Sequence, residues 1–217
     1  MMDEHLALKQ RIIDMGVCLI RRGLVVGTAG NISARLPGMD YLYVTPSGMP
    51  YEELVPDDIV GIDYEGNVVE GRRRPTIEYV MHASILRARP DVNAVVHTHS
   101  LYATAVAAAR KPIPAILESV IIVNGYKIEV AEFAPAGSRK LAENAVRTLG
   151  DGKAVLLANH GVIGVGADLD AALAVCETVE NAAKVYLMSQ LLGGAVVIPD
   201  EEVAEQIEFF RTKYGQR

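Results

Sequence analysis

The chain has 217 residues, half of them hydrophobic, with a formal charge of −6 and two cysteines. That length suits a single domain with a sizeable core. No apolar run approaches the roughly 20 residues a membrane helix needs, and the acidic balance argues against a general nucleic-acid surface. Met1-Met2-Asp3-Glu4-His5 is too polar for a signal peptide, so a cytoplasmic location is expected. Cys18 and Cys176 each lie in a helical pattern and read as buried thiols in a reducing compartment, with no disulfide framework.

Leu8, Ile12, Met15 and Leu19 recur at helical spacing and predict a helix over residues 6–22, stopped by Gly23. Residues 25–36 contain Gly and Ser and fit a turn between short strands. Tyr41-Leu42-Tyr43-Val44 is a strand, followed by the loop Thr45-Pro46-Ser47-Gly48-Met49-Pro50. Residues 59–69 read as two strands around Tyr64-Glu65-Gly66-Asn67. The polar stretch Arg72-Arg73-Arg74-Pro75 precedes a helix near 77–89, with Glu78 in its first turn. A strand at 93–97 and a helix at 101–109 follow. Residues 120–123 and 126–133 flank Asn124-Gly125, the strongest short hairpin signal in the chain. Ser138 is an N-cap for a helix reaching Leu149, with Gly150 after it. Residues 154–158 and 162–165 are strands around Asn159-His160-Gly161. Asp168 caps a long helix to Leu192, and Asp200 opens a last one to about Lys213. Interspersed strands and helices with hairpins point to a mixed, largely antiparallel sheet.

Three of the five histidines stand in two short apolar segments. Residues two apart on a strand face one side, so His97 and His99 can point at one spot. His160, beside Gly161, is a candidate third imidazole; three imidazoles and an open position make a catalytic zinc site. The same residues also suit hydrogen-bonded core histidines. His5 and His82 read as structural. Glu78 is either a helix-dipole carboxylate or a mobile carboxylate that accepts a proton near a metal. The loops Gly27-Thr28-Ala29-Gly30-Asn31-Ile32-Ser33 and Thr45-Pro46-Ser47-Gly48 have the small residues and free N–H groups of an anion nest. Arg72 to Arg74 read as a solvated loop, and Tyr214 as a tail residue after an amphipathic helix.

In order along the chain, Gly27-Thr28-Ala29-Gly30-Asn31, Thr45-Pro46-Ser47-Gly48-Met49-Pro50-Tyr51-Glu52, Pro75-Thr76-Ile77-Glu78, Asn93-Ala94-Val95-Val96-His97-Thr98-His99, Ile113-Pro114-Ala115-Ile116, Asn159-His160-Gly161 and Lys213-Tyr214-Gly215 resemble the class II (zinc) aldolase and adducin-head family. The resemblance covers essentially the whole chain. It implies a three-layer α/β/α single domain, residues 1–217, around a mixed, largely antiparallel sheet. It also implies a cyclic homotetramer with active sites between subunits. One Zn2+ per chain, with Mn2+ or Co2+ as alternatives, would be held by His97, His99 and His160. Glu78 would be the fourth ligand at rest and the proton-transferring group in turnover. Substrate phosphate would lie at Gly30, Asn31, Ser47, Gly48 and Thr76, and Tyr214 of a neighbouring subunit would handle a hydroxyl proton. The implied reaction cleaves a ketose 1-phosphate to dihydroxyacetone phosphate and a small aldehyde through a metal-stabilised enediolate. A 4-epimerase of ribulose 5-phosphate, a methylthioribulose-phosphate dehydratase and a non-enzymatic adducin-like module share the scaffold. Ile77 stands where the family often has a second serine. Glu118 replaces a tyrosine on the aldehyde side, and a pocket phenylalanine is missing near Ala136.

Overall fold

The computed structural model describes residues 3–213. In chain order the strands are β1 (Asn31–Ala34), β2 (Tyr41–Val44), β3 (Val60–Asp63), β4 (Val68–Glu70), β5 (Ala94–Thr98), β6 (Ile113–Pro114), β7 (Lys127–Ile128), β8 (Val130–Ala131), β9 (Ala154–Leu157) and β10 (Gly161–Gly166). Eight of them form one sheet in the order β4-β3-β2-β1-β5-β10-β9-β8, and β6 pairs with β7 separately. Among the described residues only β8 and β9 of the large sheet run parallel, so the sheet is mixed and largely antiparallel, as expected. The helices are α1 (Glu4–Arg21), α2 (Tyr79–Ala88), α3 (Leu101–Ala108), α4 (Glu118–Asn124), α5 (Arg139–Leu149), α6 (Leu169–Gln190) and α7 (Asp200–Thr212).

Strand alternation sorts side chains between two helical layers. Leu42, Val44, Val95, Ile163 and Val165 face α2 and α5, meeting Met81, Ile85, Leu141 and Leu149. Ile32, Ala34, Tyr43, Ala94 and Val96 face the other way, against Ile12 and Leu19 of α1 and Ala172 and Cys176 of α6. The result is the three-layer α/β/α arrangement. Short-range chemistry sets the helix starts. Ser138 Oγ accepts from the Leu141 N–H at 3.1 Å, and Asp168 Oδ1 accepts from the Ala171 N–H at 2.8 Å, each satisfying a first-turn donor. Cys176 is buried, as read from sequence, whereas Cys18 is half-buried.

The expected hairpin at Asn124-Gly125 is not formed. Residues 118–124 are α4, with Val120, Ile121 and Val123 buried. Gly125 (φ 72°, ψ −114°) ends that helix. Asn124 is drawn into a long-range contact instead. Its Nδ2 donates to the Ala154 carbonyl at 2.7 Å, and its Oδ1 accepts from the Ala154 N–H at 2.9 Å. The amide thereby completes the start of β9 rather than a turn. Residues 126–133 accordingly split between β7 and β8, which serve different partners. Two further corrections are smaller. Only β1 forms within residues 25–36, and α2 starts at Tyr79, so Glu78 is its N-cap residue rather than part of its first turn.

Candidate metal centre and its anion loops

β5 lies between β1 and β10, with His97 opposite Asn31 on one side and Ile163 on the other. His97 is fully buried. Its Nδ1–H donates to the Val162 carbonyl at 2.9 Å, which leaves Nε2 as a lone-pair donor. His99 lies just past the end of β5, its N–H donating to the Leu24 carbonyl at 3.1 Å. Its Nε2 is 2.9 Å from His97 Nε2. His160 follows Asn159, whose φ of 57° turns the chain between β9 and β10. The three rings stand 4.7 to 5.0 Å apart by centroid, and one ligand atom from each lies within 4.8 Å of the others. Burial, then the neighbouring imidazoles, hold His97 well below its ordinary pKa; burial and His160 lower His99 as well. The three imidazoles, with their ring nitrogens converging, form a set that could hold a metal ion.

Glu78 closes the set from the N-terminus of α2. The carboxylate is buried, with Oε2 3.3 Å from His97 Nε2 and Oε1 3.6 Å from His160 Nε2. Oε2 accepts from Asn31 Nδ2 at 2.9 Å, while Oε1 has no hydrogen-bond partner among the described residues. Leaving a buried acceptor unpaired costs about 1–3 kcal/mol, more for a charged group. A cation among these four side chains would remove that cost, so the residues present fit a metal.

The two small-residue loops converge on this point through main-chain bonds. Gly30 (φ 74°) runs so close to β5 that a Cβ there would sit 2.6 Å from the His97 carbonyl oxygen. The buried Tyr51 hydroxyl donates to the Gly30 carbonyl at 2.9 Å. The Thr76 N–H donates to the Thr45 carbonyl at 3.0 Å, and the Ser47 N–H to the Arg74 carbonyl at 2.9 Å. The Ser47 N–H, expected free, is therefore engaged. What remains toward an anion is the exposed Gly48 backbone, the exposed Ser47 hydroxyl and the Asn31 amide. Thr76 is buried and its Oγ1 accepts from the Glu78 N–H at 3.3 Å, so it also props the N-cap.

Other sequence-picked residues fall around this core. Glu118 is exposed at the start of α4. Ala136 is exposed in a loop whose next residue, Gly137, abuts the Ile77 carbonyl; a Cβ there would come to 2.7 Å. Arg73 pairs with Asp58 at 2.7 Å and Arg72 and Arg74 are exposed, in keeping with a solvated loop. Tyr214 lies outside the described residues. His82, read from sequence as structural, is fully buried between Asn31 and Ser33, within one amide of Glu78. The available signal was its spacing, four residues beyond Glu78 on one helix face.

Three converging imidazoles beside a buried carboxylate, on a three-layer α/β/α scaffold, mark a candidate metal centre. Residues 10–187 match the family model described as Class II Aldolase and Adducin N-terminal domain, and the chain belongs to that family. It is 40% identical over 215 residues to an L-fuculose phosphate aldolase of Escherichia coli O6:H1, an alignment covering 99% of this chain and 98% of the relative. A 5-methylthioribulose-1-phosphate/5-deoxyribulose-1-phosphate aldolase of Rhodospirillum rubrum is 38% identical, covering 99% and 96%. A solved L-fuculose 1-phosphate aldolase superposes with a TM-score of 0.92 at 37% identity, covering 96% of this chain and all of that one. The chain is a lyase, a class II aldolase similar to the L-fuculose-phosphate enzymes.

Proposed function

We propose that this chain, as one aldolase domain, reversibly cleaves an L-fuculose 1-phosphate-like ketose 1-phosphate to dihydroxyacetone phosphate and a small aldehyde such as lactaldehyde. The observation that carries this reading is Glu78, a buried carboxylate set against three converging imidazoles with one oxygen unpartnered among the described residues. His97, His99 and His160, with Glu78 at rest, would hold the cation, Zn2+ by donor type, with Mn2+ or Co2+ as alternatives. When bound, such an ion supplies Lewis acidity to the substrate ketone and neutralises developing negative charge.

The protein's own groups do the rest. The Asn31 amide, the Ser47 hydroxyl and the Gly48 backbone anchor the phosphate, with Gly30 and Thr76 shaping the loops around it, which fixes which carbon faces Glu78. Loss of the C4 hydroxyl proton lets the C3–C4 bond break; the aldehyde departs and its electron pair stays on C3. The proton released at the C4 hydroxyl returns through solvent to the Glu78 carboxylate, which delivers it to C3, giving dihydroxyacetone phosphate. We assign the C4 hydroxyl proton to Tyr214 of a neighbouring subunit, in a cytoplasmic homotetramer with its sites between subunits.

The R. rubrum relative favours a second reading of the aldehyde alone. Removing dihydroxyacetone phosphate from a 5-deoxyribulose 1-phosphate leaves acetaldehyde, and the departures at Glu118 and Ala136 lie on the aldehyde side. The test incubates the enzyme with dihydroxyacetone phosphate and lactaldehyde, acetaldehyde or (methylthio)acetaldehyde, and identifies products by NMR. Preference for lactaldehyde supports the first reading and preference for acetaldehyde or (methylthio)acetaldehyde the second. Rejection of every aldehyde with turnover of ribulose 5-phosphate would replace both with the epimerase. In parallel, Glu78→Gln should retain the fold by circular dichroism and lose at least about 100-fold in proton exchange at C3 of dihydroxyacetone phosphate.

A further inference from the structure

We infer that His82 is a positioning residue for this chemistry, holding the Asn31 amide in the one orientation that serves Glu78 and the phosphate together. The inference rests on the roles proposed above for Glu78 and Asn31. It is argued from which groups donate and which accept.

The Asn31 Nδ2 amine donates to Glu78 Oε2 at 2.9 Å. Asn31 Oδ1 is thereby turned to His82, 2.5 Å from its Nε2. A carbonyl oxygen only accepts, so His82 Nε2 carries the proton. Its Nδ1 then presents a lone pair, which takes the Ser33 hydroxyl proton at 2.7 Å. The chain of donors therefore runs one way: Ser33 to His82, and Asn31 to Glu78, with His82 donating to Asn31 between them. All four side chains are buried, Ser33 and His82 completely. In such surroundings water does not substitute for a missing partner, and a flipped amide would set Oδ1 against the carboxylate.

The arrangement has a consequence for substrate. Asn31 Nδ2 has a second hydrogen, a donor for the phosphate, so a single amide group touches both the anchor and the proton-transferring carboxylate. Freed from His82, that amide can rotate, and phosphate binding and Glu78 placement fail together.

The experiment measures C3 proton exchange of dihydroxyacetone phosphate by His82→Leu, His82→Gln, Asn31→Ala and His82→Leu/Asn31→Ala proteins. Leu keeps the volume and removes both hydrogen bonds; Gln keeps a donor and an acceptor at similar separation. His82→Leu should lower kcat by about 10- to 100-fold and raise KM, and His82→Gln should recover most of both. In the Asn31→Ala background His82→Leu should add less than about twofold, because its effect passes through the missing amide. Should His82→Leu fail to fold, Ser33→Ala carries the same comparison, with a loss of about 2- to 10-fold. Independently of activity, 15N NMR of the purified protein should show His82 as the Nε2–H tautomer. Inorganic phosphate should shift the Asn31 side-chain amide signals, and this response should be lost with His82→Leu or weakened with Ser33→Ala. Wild-type kcat in His82→Leu, losses that multiply with Asn31→Ala, or an Nδ1–H tautomer would each overturn the inference. Absence of exchange in the wild-type protein would sink the proposed function instead. The NMR arm would then decide on His82 alone, supporting it if the tautomer and the phosphate response are as stated and overturning it otherwise.

Discussion

Gly161 shows at the residue scale how little room the centre leaves. A Cβ built there would lie 2.3 Å from the Thr98 carbonyl oxygen, 2.9 Å from His99 Cδ2 and 3.1 Å from His97 Cε1. The first of these neighbours is backbone in the middle of the sheet and cannot swing aside. Gly161→Ala must therefore push β10 from β5 or displace the two imidazoles. We expect a loss of about 1–3 kcal/mol in urea unfolding and at least a tenfold drop in metal affinity by competition with a chelator. An alanine protein that binds metal like the parent would show that β10 can relax without moving the ligands. His97, His99, His160 and Glu78 were legible as candidates because their chemistry is local: an i, i+2 pair on a strand, a glycine beside a histidine, a carboxylate after Pro75-Thr76. His82 was not, since a lone helical histidine reads as structural until Asn31 and Ser33 are seen across from it.

At the scale of the element, Asn124-Gly125 is the instructive failure. The dipeptide between β-branched runs carries the local signature of a two-residue hairpin, and the same letters suit the end of a helix. Local preference left both open, and the Asn124 amide's bonds to Ala154 decided between them. Gly125 keeps a role in either case, for its φ of 72° and ψ of −114° suit a residue without Cβ. Gly125→Ala should cost about 1–3 kcal/mol in thermal or urea unfolding, and C3 exchange by the folded protein should be unchanged, because α4 carries no group of the metal centre. The cap residues were easier to read. Ser138 and Asp168 act within four residues of themselves, so their structural consequence is written beside them. β7 and β8 were unreadable as separate strands, since adjacent residues pair in opposite directions along the chain, β7 back to β6 and β8 forward to β9.

For the whole molecule, the sheet order matters more than any single helix. Chain segments around residues 31, 97 and 161 become neighbours only when β1, β5 and β10 lie side by side. That order could not be read from the chain, because it is fixed by long-range pairing of short strands with similar β-branched composition. If four chains assemble as proposed, light scattering should return a mass four times the 23.4 kDa of one chain; a monomer that turns over substrate would remove the neighbouring subunit from the reaction. One bond described above then acquires a second meaning. The Nδ1–H of His97 is held by the carbonyl of Val162, 65 residues away. The lone pair on its other nitrogen is therefore aimed only after two distant stretches of chain have found their register. An ion taken up there would arrive as a latecomer to folding, a rivet through strands already aligned, and the rate of its uptake during refolding would time the closing of the sheet.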